Sequence, residues 1–217
     1  MFPGFGTILN SLLVFVGSLL GLALSSRLPE GLKKGIMQAI GLFTLLLGLK
    51  LTTENKPELL KVFFLLVVGG AFGSLLRLEE RLSNLGGKAS EFSKGFISAS
   101  LLFTVGPMTL MGCILEGAKG DSTLLLSKAF IDFFSSFLLA SSLGVGVVFS
   151  ALYVLFFQGS ITALAFFLGE FLKEQAMANA LFIGGGLMVL TAFKIWGFLQ
   201  EVRTLNLLPS MIFALFV

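Results

Sequence analysis

Lys128 and Asp132 stand four residues apart inside an apolar stretch of membrane length, so one helical face carries both charges, with Ser135 and Ser136 a turn further on. Asp132 falls near the centre of that stretch, where an ionised side chain costs roughly 2.5–3.5 kcal/mol to insert and therefore pairs or faces a cavity. Two readings follow. The pair binds a solute or ion or carries a proton, or Lys128 reaches for the interface while a neutralised Asp132 packs between helices.

Gly106-Pro107 interrupts the preceding apolar run. A proline there removes one backbone donor and clashes with the turn before it, freeing carbonyls near Leu102 and Phe103. Freed carbonyls inside a bilayer need partners, which Thr104, Thr109, Ser98 and Ser100 can supply. The break either lines a site or is a packing kink. Gln158 and Asn10 are amides at membrane depth, open to ligand binding or to gluing helices together. Asn206, before Leu-Leu-Pro209, is a further amide that a short last helix could place at the interface. Glu116, Gly120 and Asp121 form an acidic turn between the two runs. It is either a solvated loop or an entrance that attracts cations, with Asp121 also placed to cap the next helix.

Other chemistries find little support. There are no histidines and one cysteine, Cys113, so a metal centre, a haem or an internal disulfide is not expected, and neither is any cofactor. Nucleophilic catalysis lacks a base, which leaves a Ser/Lys enzyme built on Lys128 as a remote alternative to a non-enzyme. Gly69-Gly70, Gly73 and Gly184-Gly185-Gly186 suit close helix crossings, since neither cluster has the strand-loop-helix setting of a phosphate cradle. The surplus of basic residues carries no nucleic-acid motif.

These residues must be positioned by membrane helices. Of 217 residues 56% are hydrophobic and 12% charged, against about 25% charged in soluble domains. The expected fold is all-α, a polytopic bundle of about 7–8 transmembrane helices forming one membrane domain over 1–217. The first run lacks a basic leader and is taken as a helix rather than a signal peptide. Apolar runs cover Gly6–Ser25, Ile36–Leu51, Leu59–Leu76, Gly95–Leu115, Thr123–Ser142, Val145–Gly169, Ala176–Trp196 and Leu205–Val217. The second and last fall short of the roughly 17–25 residues a crossing needs. Loops on one side hold Arg27, Lys33, Lys34, Arg77, Arg81, Lys88, Lys94, Lys194 and Arg203, and those on the other hold Lys50, Lys56, Lys61, Lys119 and Lys173. By the positive-inside rule the first set is cytoplasmic and the N-terminus is outside.

An internal repeat is suggested. Leu13–Ala23 aligns with Leu155–Ala165 at six of eleven positions, including Gly17/Gly159 and Ser18/Ser160, and Gly41 and Lys50 align with Gly185 and Lys194. Chance alignment of Leu/Gly/Phe-rich helices is the alternative. A true repeat would place units 1–83 and 145–217 around central helices in 92–142. The odd offset of five crossings would invert one unit relative to the other, as in many secondary transporters.

Gly6-Thr-Ile-Leu-Asn10, Gly17-Ser-Leu-Leu-Gly21, Gly95-Phe-Ile-Ser-Ala-Ser-Leu-Leu-Phe103, Val105-Gly106, Gly120-Asp121, Lys128, Asp132, Gly144-Val-Gly-Val147, Ser150, Gln158-Gly159 and Asn206-Leu-Leu-Pro209 together resemble the bacterial membrane proteins grouped as domain of unknown function 554. The resemblance covers nearly the whole chain and implies a small multi-pass protein of the bacterial inner membrane, loosely labelled a transport protein, with no substrate. The expected function is a secondary transporter of an unidentified small solute or ion. Its site would draw on Thr104, Gly106, Pro107, Thr109, Lys128, Asp132, Ser135, Gln158 and Asn10. The alternatives are an ion channel formed by a homodimer and a structural or regulatory membrane protein.

Overall fold

The computed structural model describes residues 4–24, 29–84, 91–169 and 172–217. Ser25, Arg27 and Lys88, used above for a segment end and the charge count, lie outside them. The described chain is helical without strands: α1 Phe5–Ala23, α2 Glu30–Glu54, α3 Leu59–Leu75, α4 Leu78–Asn84, α5 Glu91–Thr104, α6 Pro107–Lys119, α7 Thr123–Leu143, α8 Gly146–Leu168, α9 Glu174–Ile195, a 3-10 turn Thr204–Leu207 and α10 Leu208–Ala214.

Five described helices, α1, α2, α7, α8 and α9, are long and apolar enough to cross a bilayer, and α5 and α6, which meet at a bend of 57°, reach that length only if taken together as one broken span. The short segment expected at Ile36–Leu51 is corrected: α2 runs 25 residues because Glu30, Lys33, Lys34 and Glu54 extend it into polar ends that an apolar-run reading cuts off. The last segment is short, as expected, and α3 has 17 residues.

Burial is inverted relative to a soluble protein. Phe156, Phe167, Leu60 and Leu75 are largely exposed, whereas Thr7, Asn10, Glu116, Lys128, Asp132, Gln158 and Asn206 are buried. Lipid is as apolar as leucine, so helices associate through close backbone packing and polar contacts.

Two compact units result: Met1–Ile36 with Ser83–Gly169, and Met37–Leu82 with Glu170–Val217. In the first, α1 lies on α7 with Gly17 and Gly21 against the carbonyls of Phe133 and Phe137, an approach that leaves no room for a side chain. Its small core joins Val14, Ala99, Phe103, Ala140, Val147, Ala151 and Val154. In the second, Gly48 of α2 and Gly185 of α9 each face the other's carbonyl, and Gly69 and Gly73 of α3 meet Ser210 and Asn206.

Candidate functional site

The break at Gly106-Pro107 is a full helix interruption rather than a kink within one helix. Gly106 is extended, with φ −170° and ψ 157°, and Pro107 opens α6 at a first-turn position where its missing N–H removes nothing. The carbonyl of Phe103, expected to be freed, accepts the Thr109 hydroxyl at 3.0 Å, and Thr104 donates to the Ser100 carbonyl at 2.6 Å. A side chain on Gly106 would meet open space.

α5 and α6 both run alongside α8 in its own direction. Phe96 stacks edge-on to Tyr153 below the break, and Gly117 meets Thr162 and Ala165 above it. Gln158 of α8 and the break both lie between those two levels. Gln158 is the thirteenth residue of 23 in α8, and Asp132 the tenth of 21 in α7. Both are mid-helix.

Asp132 Oδ2 accepts from Lys128 Nζ at 2.5 Å and from Asn10 Nδ2 at 3.0 Å. Lys128 and Asp132 are both almost fully buried. Three of the expected residues, Asn10, Lys128 and Asp132, are thus directly joined across α1 and α7. Ser135 is buried one turn along α7. α1 and α8 are antiparallel, since Thr7 reaches Thr162 at 3.4 Å while Ser11 donates to Ala151 O at 2.8 Å. One turn on from the Thr7/Thr162 crossing, α1 presents Asn10 and α8 presents Gln158 on the same faces.

Asn10 Oδ1, Ser100 Oγ, Gln158 Oε1 and Gln158 Nε2 are buried and have no hydrogen-bond partner among the described residues, where the remaining such atom is Asn179 Nδ2 in the second unit. A buried polar atom without a partner costs about 1–3 kcal/mol. All four atoms belong to the first unit, and Asn10 is also the side chain that bonds Asp132 of the buried ion pair.

Glu116 corrects the sequence reading. It is no loop acid but a fully buried side chain on the last turn of α6. Its Oε1 accepts the Gly6 N–H of α1 at 2.6 Å and the Ser122 hydroxyl at the start of α7 at 2.7 Å, and Oε2 lies 3.4 Å from the Thr7 hydroxyl. Gly6 N–H is one of the first-turn donors that α1 cannot satisfy itself, and an anion at a helix N-terminus is favoured. Asp121 is exposed and its Oδ1 accepts the Thr123 N–H at 2.9 Å, one residue ahead of Ser122, which occupies the N-cap position of α7. The turn between is a Schellman end with Gly120 left-handed at φ 68° and Asp121 N–H bonded to Leu115 O. Thr7 and Thr162 were not singled out in the sequence; their place one turn from Asn10 and Gln158 was the available signal. Among the described residues no group of His, Cys, Asp and Glu could hold a metal ion.

Helices of membrane length, a lipid-like exterior and buried charges define a polytopic α-helical membrane protein. The chain belongs to the family described as "Protein of unknown function (DUF554)", whose model matches residues 5–217. It is 30% identical over 213 residues to the "Uncharacterized membrane protein YdfK" of Bacillus subtilis (strain 168), covering 96% of this chain and 93% of that one. It is 27% identical over 225 residues to the "Uncharacterized protein YqgA" of Escherichia coli (strain K12), covering 97% and 94%. No solved structure matches the chain.

Proposed function

We propose that this membrane protein is a small secondary transporter that moves a solute or ion by alternating access of two inverted repeats. The observation that carries the reading is the coincidence, at mid-helix depth in one unit, of a broken span, a buried Lys128/Asp132 pair and four unpartnered polar atoms. Irregular backbone and ionisable groups at membrane depth are costly and are kept where they line a cavity or pathway. Transport sites of this kind are commonly formed by interrupted helices near the midplane.

The packing of the helices matched by the repeat supports the inverted arrangement. α1 lies antiparallel to α8 through Thr7/Thr162 and Ser11/Ala151. α2 lies antiparallel to α9, with Gly41 at Trp196 and Gly48 at Gly185, and α3 to α10, with Gly69 at Ser210 and Gly73 at Asn206. Opposite direction in every matched pair is what inversion requires. The placement is an inner membrane with the N-terminus outside. The alternation of α1, the α5/α6 span, α7 and α8 agrees with the charge count, which puts Lys94 inside and Lys119 outside.

The test is flux. Proteoliposomes holding the full chain are offered a defined mixture of amino acids, carboxylates, sugars, nucleosides and alkali cations, and internal contents are assayed by mass spectrometry and ion analysis. At least one solute is expected to accumulate with the wild type and not with Asp132→Asn. Equal contents in wild-type, Asp132→Asn and empty vesicles would sink the proposal.

A further inference from the structure

We infer that the ligand of this site is a small zwitterion bearing a carboxylate and a primary ammonium, of the amino-acid type. The inference rests on the proposed transport site and names what fills it.

The unmet hydrogen-bonding capacity decides the class. On the donor side stand the two N–H groups of Gln158 Nε2 and those of the Lys128 ammonium beyond the one given to Asp132. On the acceptor side stand Asn10 Oδ1 and Gln158 Oε1, and Ser100 Oγ can serve either way. A bare carboxylate would engage the donors and leave two buried amide oxygens empty. A bare cation would engage the oxygens and leave the donors empty. Each mismatch strands buried polar groups, which is how a polar site rejects the wrong ligand most strongly.

Charge points the same way. Lys128 and Asp132 cancel one another at 2.5 Å, so they add no net charge to attract a monovalent ion of either sign. They leave a local dipole instead, positive at Lys128 and negative at Asp132, with the N-terminal end of α6 nearby at the break favouring an anionic group. A ligand with opposite charges a few ångströms apart matches that dipole without adding net charge, its own desolvation being offset by pairing with both ends.

The experiment uses the purified full chain in lipid nanodiscs and three probes: free glycine, which is little more than the two charged ends, acetate and methylammonium, all at equal ionic strength. Glycine is expected to raise the thermal unfolding midpoint saturably, while acetate and methylammonium at the same concentrations do not. Gln158→Leu should weaken the glycine response at least tenfold. The milder Ser100→Ala, checked for unchanged helicity, should weaken it about threefold. Acetate or methylammonium acting as well as glycine, no response to any probe, or a glycine response untouched by both substitutions would overturn the ligand class. If glycine fails while another solute accumulates in an Asp132-dependent way, the ligand class falls and transport stands. If glycine binds but no solute moves, the ligand class stands and transport falls.

Discussion

The two units use the same residue types to opposite ends. In the second unit Lys194 Nζ binds Glu79 at 2.6 Å and Val202 O at 2.9 Å, Glu79 Oε2 accepts the Leu205 N–H at 3.0 Å, and Asn206 Oδ1 accepts the Glu79 N–H at 3.0 Å. A lysine, an acid and an asparagine are spent on fastening the start of α4 to the end of α9 and the 3-10 turn. In the first unit Lys128, Asp132 and Asn10 form a similar trio within α7 and α1 rather than at their ends, and Asn10 Oδ1, Ser100 Oγ and both Gln158 amide atoms of that unit have no partner among the described residues. Residue type does not separate the clamp from the proposed site, and burial differs only in degree, the clamp's charges being about one-fifth exposed and the other pair's almost fully buried. The degree of satisfaction separates them: a clamp closes its bonds at helix ends, while a site keeps some unmade at a cost in stability.

Stability measurements can break that contrast, here by denaturant titration of the purified protein followed by circular dichroism. Lys128→Met should cost about 3–5 kcal/mol, because it strands Asp132 as an unpaired buried charge, and adding Asp132→Leu should restore much of the loss. Lys194→Met should cost less, about 1.5–3 kcal/mol, since Glu79 keeps its bond to Leu205 and is about one-fifth exposed. Equal losses would mean that the two trios are alike.

Asn206→Ala should destabilise by about 2 kcal/mol through the stranded Glu79 N–H. Gln158→Leu should do the reverse and stabilise the ligand-free protein by about 1–2 kcal/mol, because it removes two unpartnered atoms. A destabilised Gln158→Leu would remove the distinction between the units. The smallest effect belongs to Ser160→Ala, where an exposed hydroxyl bonds only its own helix at Phe156 O, and the change should stay within about 0.5 kcal/mol.

Much of the architecture was legible because it is local. Gly-Pro at 106–107 announced the interruption, since no proline N–H can continue a helix, and Lys128/Asp132 at a spacing of four had to share a face. The ends of α2 were missed because hydropathy falls off before helical hydrogen bonding does. Glu116 was misread for a different reason: beside Gly117, Gly120 and Asp121 it looks like part of a polar turn, and what buries it is Gly6, 110 residues away. Asn206 stands before a short last helix, and what occupies its amide oxygen is the Glu79 N–H, 127 residues away, which no local pattern announces.

By itself, then, the sequence determined that this is a helical membrane protein, roughly where its apolar helices lie, that the run around Gly106-Pro107 is interrupted and that one face of α7 carries Lys128 and Asp132. Those properties follow from hydropathy and periodicity over a few turns. The tertiary structure alone decided that Asn10 completes the Lys128/Asp132 pair, that Glu116 joins the ends of α6, α1 and α7, and that the buried amide of Gln158 has no partner among the described residues. Whether a polar group is satisfied depends on partners brought from distant helices, and no local pattern encodes that.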